Sequence, residues 1–125
     1  MEYTIAMKYQ IEYTNEFGEW WATLSESEQD DIGAVVENLE RKGVHLGFPY
    51  SSKVKGSRHS HMRELRIQSA GHPIRVFYAF DPRRMAILLI GGDKTGDNRF
   101  YQKYIPLADI LYDIYLEELK KEGLI

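Results

Sequence analysis

The chain has 125 residues, no cysteine, and 16 Lys and Arg against 19 Asp and Glu, a net charge of −3. That length suits a single domain with a working core, and the lack of thiols excludes a disulfide scaffold, a thiolate metal site and a cysteine nucleophile. No apolar run is long enough to span a bilayer and no basic-then-apolar leader opens the chain, so a cytoplasmic protein without a membrane partner is expected, with residues 1–6 a candidate extension before Met7.

The charge is unevenly spread. Residues 1–48 carry 3 basic and 10 acidic side chains, net −7, and residues 105–125 carry 2 and 5, net −3. Residues 49–104 carry 11 and 4, net +7, with three of the four histidines. A basic centre between acidic flanks is either a solvated face or a surface for a polyanion.

Lys8 to Tyr13 alternates polar and apolar, which predicts a strand with Tyr9, Ile11 and Tyr13 inward. Asn15 is a candidate helix cap, followed by Phe17, Trp20, Trp21 and Leu24 at helical spacing, a stripe read as core rather than as a ligand platform. Ser25 and Glu28 fit a capping box that opens a second helix, with Ile32, Val35, Val36 and Leu39 on one face and Gly43 at its end. Val44 to Ser60 shows no periodicity and reads as a loop.

Three apolar segments then follow, Met62–Gln68, Ile74–Phe80 and Ile87–Ile90, separated by the turn signals Gly71-His72-Pro73 and Asp81-Pro82. They predict an antiparallel three-stranded meander. Period two places Leu65 and Ile67 on one face with Ile74, Val76, Tyr78 and Phe80, and Glu64, Arg66 and Arg75 on the other. Pro106 suits the first turn of a last helix whose apolar stripe is Leu107, Ile110, Leu111 and Ile114. The expectation is an α+β fold: a strand, an αα-hairpin, the meander and a C-terminal helix, with the helices on one face of the sheet.

Gly91-Gly92-Asp93-Lys94-Thr95-Gly96 lacks the glycine before lysine that a phosphate-binding loop needs, so nucleotide hydrolysis is rejected and Lys94 is left on a flexible glycine hinge at a strand end. His59 and His61 have no matching ligand pair, so no metal is assigned, and no serine sits in a nucleophile elbow. What remains is Arg66, Arg75, Lys94 and Tyr101, with Glu64 beside Arg66. Salt bridging of Glu64 to either arginine is one reading. The other is a cationic cradle for a phosphodiester, stabilising the added charge of a pentacoordinate transition state, with RNA supplying its own nucleophile in the 2′-hydroxyl.

Glu64-Leu65-Arg66-Ile67, Ile74-Arg75-Val76-Phe77-Tyr78 and the aliphatic strand ending at Lys94, in that order and spacing, resemble the RelE/ParE superfamily of bacterial toxins, in its HigB-like, phage-associated branch. The likeness runs along nearly the whole chain and implies one RelE-like domain over residues 1–125. It further implies a type II toxin–antitoxin toxin: an mRNA endonuclease that needs no metal or other cofactor, works on the ribosome and is silenced by a helix-turn-helix antitoxin. Carried over by position, the resemblance makes Arg66, Arg75, Lys94, Tyr101 and Glu64 catalytic. Lys53, Lys55, Arg63, Arg99 and Lys103 would contact RNA phosphates, with Phe100 and Tyr101 able to stack on a base. Two features depart from the family's pattern. Glu64 stands where its ribonucleases carry lysine, which makes a carboxylate the base or weakens the site, and the chain as a whole is acidic. The alternatives are a ParE-like gyrase inhibitor without enzymatic activity and an inactive phage-derived binding protein.

Overall fold

The computed structural model describes residues 8–125, so the extension considered for residues 1–6 lies outside the described residues. The elements run β1 (Ile11–Tyr13), α1 (Asn15–Ala22), α2 (Glu26–Lys42), a short 3-10 turn (Gly43–His45), β2 (Ser51–Lys53), β3 (Arg63–Ser69), β4 (His72–Phe80), β5 (Ala86–Asp93) and α3 (Phe100–Lys121). They form one sheet in the order β1-β5-β4-β3-β2, in which β1 is parallel to β5 and the remaining pairs are antiparallel.

The meander forms as the alternation predicts, with Arg66 opposite Arg75 and Glu64 opposite Phe77. The predicted loop over Val44–Ser60 is corrected in its middle, where Ser51–Lys53 pairs with Arg63–Leu65 as an edge strand. Three residues, two of them serine, are too few to show a period. The first helix is capped by Thr14, not Asn15. Thr14 keeps extended backbone (φ −77°, ψ 163°), and its Oγ1 accepts from the Phe17 amide at 3.0 Å while donating to the Leu89 carbonyl at 2.6 Å. The capping box of α2 forms as expected between Ser25 and Glu28. Tyr9 precedes β1 rather than lying in it, and Tyr13 is 65% exposed, so the inward strand narrows to Ile11.

The expectation that all helices share one face is overturned. Leu65, Ile67, Ile74, Val76, Tyr78 and Leu88 pack with Phe17, Ile32, Val35 and Leu39 of α1 and α2. Phe77, Ala79, Ile87 and Leu89 pack on the other side with Phe100, Ala108, Leu111 and Tyr112 of α3. The two inner strands β4 and β5 are apolar on both faces, as strands covered twice must be. Helix α3 starts at Phe100, so Pro106 falls inside it rather than in its first turn. Its phase also differs from the expected stripe: Leu111 is buried, but Leu107, Ile110 and Ile114 are exposed. Phe100, Tyr101 and Tyr104 set that phase, with ring centroids 6.0, 6.2 and 6.1 Å from the Phe77 ring.

Gly91 and Gly92 are not a hinge. A Cβ on Gly91 would meet the Trp20 ring at 2.3 Å, and one on Gly92 would meet the Tyr104 ring at 2.7 Å. The sheet is therefore pinched between α1 and α3 at adjacent residues, where only glycine fits. The β2–β3 loop is tied to α3 as well. Asp109 accepts from the Arg58 amide at 2.9 Å and from the Ser57 hydroxyl, and His59 Nε2 lies 2.7 Å from Asp113 Oδ1. Because α3 lies over β5 and β4, the outer half of that face, on β3, is left with Glu64 and Arg66.

Candidate active site

Around the open half of the sheet, β3 contributes Glu64 and Arg66, β4 Arg75, the end of β5 Lys94 and α3 Tyr101. Arg66 and Arg75 are direct cross-strand partners on the α3 side of the sheet. Like charges so placed repel, and a carboxylate resolves the conflict. Glu64 Oε1 accepts from Arg66 Nη1 at 3.2 Å, from the Tyr101 hydroxyl at 3.0 Å and from Ser52 Oγ at 3.2 Å, and lies 3.8 Å from Arg75 Nε. Glu64 and Arg75 are 4% and 3% exposed. Glu64 Oε2 and Arg75 Nε are buried with no hydrogen-bond partner among the described residues.

Lys94 follows β5 and is fixed by its amide, which donates to the Pro73 carbonyl at 3.0 Å. Next to it Asp93 accepts from the Thr95 amide at 2.9 Å and hydroxyl at 2.6 Å, and His72 Nδ1 lies 3.1 Å from Asp93 Oδ2. Lys94 Nζ sits 5.3 Å from the centre of the Tyr101 ring. Burial, then the positive charge of Arg75, holds the Lys94 pKa below its ordinary value, with Arg66 adding to the effect and Glu64 opposing it. Burial, then the Glu64 carboxylate, raises the Tyr101 pKa. The result is a half-buried niche with three cations, one anion and a phenol, beside a groove of about 220 Å³ lined by Lys53, Val54, Lys55, Glu64, Tyr101 and Ile105.

The sequence-derived contacts divide accordingly. Glu64, Arg66, Arg75, Lys94 and Tyr101 come together, and Lys53 and Lys55 line the adjoining groove. Arg63 does not join them: it shares the α2 side of β3 with Leu65, and its Nε donates to Ser51 Oγ at 3.0 Å. Lys103 is drawn to Asp97 Oδ2 at 2.6 Å, and Arg99 sits exposed at the N-cap of α3. Phe100 is 1% exposed, so it packs in the core and cannot stack on a base. Two residues escaped the sequence reading. Ser52 could have been found only by recognising β2, whose register sets it opposite Glu64. Phe48, 5.4 Å from the Arg66 guanidinium carbon, left no periodic signal.

The profile of the phage-derived protein Gp49-like family (DUF891) matches residues 19–113, from α1 through the meander and into α3. The chain belongs to this Gp49-like family. It is 43% identical over 91 residues to the HigB3 toxin of Mycobacterium tuberculosis, a stretch covering 72% of this chain and 78% of that protein. Among solved structures, an E. coli RelE toxin mutant in the free state has a TM-score of 0.55 at 10% identity, over 75% of this chain and 92% of that one. The archaeal RelE of the RelE–RelB complex from Pyrococcus horikoshii has a TM-score of 0.52 at 14% identity, over 72% and 99%. The Gp49-like chain is thus HigB-like and has the RelE fold. The matched span of this Gp49-like protein includes Glu64, Arg66, Arg75, Lys94 and Tyr101.

Proposed function

We propose that the protein is the toxin of a type II toxin–antitoxin pair, a metal-independent mRNA endonuclease that acts in the cytoplasm on ribosome-bound message and is silenced by a helix-turn-helix antitoxin. The likeness to a HigB toxin and the RelE fold support the toxin role. The observation that carries the endonuclease reading is the convergence of Arg66, Arg75 and Tyr101 on one buried carboxylate, with Lys94 against the Tyr101 ring.

In this reading Arg66, the more exposed arginine at 29% of its side chain, grips the scissile phosphate. The neutral Lys94 amine takes the proton of the RNA 2′-hydroxyl, whose oxygen attacks the adjacent phosphorus. The pentacoordinate phosphorane is stabilised by Arg66 and by the buried charge of Arg75. The 5′-oxygen then leaves with the proton of Tyr101, giving a 2′,3′-cyclic phosphate and a 5′-hydroxyl. The positive charge of Arg75, which favours the ionised phenol, steadies the resulting phenolate until it is reprotonated. Glu64 is a positioning residue and not the base, because Oε1 is occupied by donors and Oε2 is sealed from solvent.

The test is Arg75→Ala, checked for folding by circular dichroism and assayed on ribosome-bound mRNA. Cleavage falls at least 100-fold, as expected for loss of a preorganised charge in a water-poor site. Gyrase supercoiling, measured in parallel, is unaffected by the wild-type protein. Unchanged cleavage by the variant, or gyrase inhibition by the wild type, defeats the reading.

A further inference from the structure

Phe48 is 77% exposed, more than any other large hydrophobic side chain among the described residues. Its ring centre lies 5.4 Å from the guanidinium carbon of Arg66, the arginine that reaches outward. The loop that carries it is held firmly. Leu46 is 3% exposed, its amide donates to the Gly43 carbonyl at 3.1 Å, and the Tyr50 and Ser51 amides both donate to the Gly47 carbonyl at 3.1 Å. The Tyr50 carbonyl accepts from the Arg66 amide itself at 2.8 Å, so ring and guanidinium share one framework.

An apolar ring kept in water forgoes the stabilisation that burial gives, and a rigid loop presents it next to a cation. Single-stranded RNA is read by such pairs: a base stacks on an aromatic face or guanidinium plane while its phosphate meets the charge. We propose that Phe48 is the stacking platform for the base next to the scissile linkage, so that Arg66 takes the phosphate while Phe48 takes the neighbouring ring. This rests on the endonuclease reading and adds a positioning residue to it. Bound this way, a splayed-out nucleotide places its 2′-hydroxyl and phosphate in fixed relation to Lys94 and Tyr101.

The experiment compares wild type, Phe48→Ala and Phe48→Trp, with Arg75→Ala as reference. Binding is followed by anisotropy with a labelled, uncleavable 2′-O-methyl RNA pentamer and with the same pentamer lacking its central base. Phe48→Ala weakens binding of the intact pentamer about tenfold or more, leaves the abasic one unchanged, and is rescued by Phe48→Trp. On ribosome-bound mRNA it raises KM with kcat within about threefold of wild type. If Phe48→Ala matches wild type in both assays while Arg75→Ala is inactive, the platform is refuted and the endonuclease stands. Equal loss on the intact and abasic pentamers also refutes it, because the ring then serves only to hold Arg66. Wild-type cleavage by Arg75→Ala overturns the endonuclease reading and the platform with it.

Discussion

Two arginines facing each other across antiparallel strands are a destabilising pair until Glu64 is placed between them and Tyr101. That Arg66 and Arg75 share a face was legible from period two, while their direct pairing depends on a register the sequence does not show. The central place of Glu64 was legible only in part, since its links to Ser52 and Tyr101 depend on a hidden strand and on the phase of a helix. Arg63 shows the limit of counting cations: charge in the right segment is not charge on the right face. The environment also moves the proton affinities of Lys94 and Tyr101 in opposite directions, which suits the proposed base and acid. Lys94 acts as a base only when neutral, and its pKa lies below the ordinary 10.5. Below that pKa its neutral fraction rises tenfold per pH unit, so kcat/KM rises with unit slope and then levels off. Tyr101, with a pKa above the ordinary 10.0, stays protonated across the same range and adds no falling limb there. Lys94→Ala flattens the profile, and Lys94→Arg stays inactive because a guanidinium does not give up its proton. A rate that falls as pH rises through neutrality contradicts the assignment.

At the level of elements, β5 sets the spacing of the whole molecule. Gly91 faces Trp20 of α1, and Gly92 faces Tyr104 of α3. These glycines looked like punctuation in the sequence, because a glycine pair before Asp-Lys is also what a phosphate loop or a hinge contains. The contacts that require them come from helices 71 residues earlier and 12 residues later, which no local pattern reports. Gly91→Ala must displace a core indole and is expected to cost about 1–3 kcal/mol, the usual penalty of overpacking, read as a lower midpoint in urea unfolding. An unchanged midpoint would mean that the Trp20 ring is free to yield. The same distant packing explains the misplaced stripe of α3. Leu107, Ile110 and Ile114 have helical spacing, yet the aromatic turn at Phe100–Tyr104 fixes which side meets the sheet. Helix α2 was fully legible because its cap, its stripe and its terminal glycine all lie within one segment.

Across the whole molecule the uneven charge of the sequence becomes an uneven surface. The acids of α1 and α2 lie on one side of the sheet, while Arg66, Arg75 and Lys94 gather on the other beside Lys53 and Lys55. A net charge of −3 therefore conceals a local cluster of positive side chains at the niche. The layer arrangement was legible except for α3, whose position over β4 and β5 narrows the open face to its β3 half. That narrowing defines the site: a full open sheet would leave the cations in water, where they would be weak. No helix among the described residues is long and apolar enough to cross a membrane. The proposal that this niche cuts RNA by 2′-hydroxyl attack is decided by the chemistry of the ends left on ribosome-bound mRNA. The wild type is expected to leave 5′-hydroxyl and 2′,3′-cyclic phosphate ends, and Arg75→Ala none. Ends carrying a 5′-phosphate and a 3′-hydroxyl would contradict it.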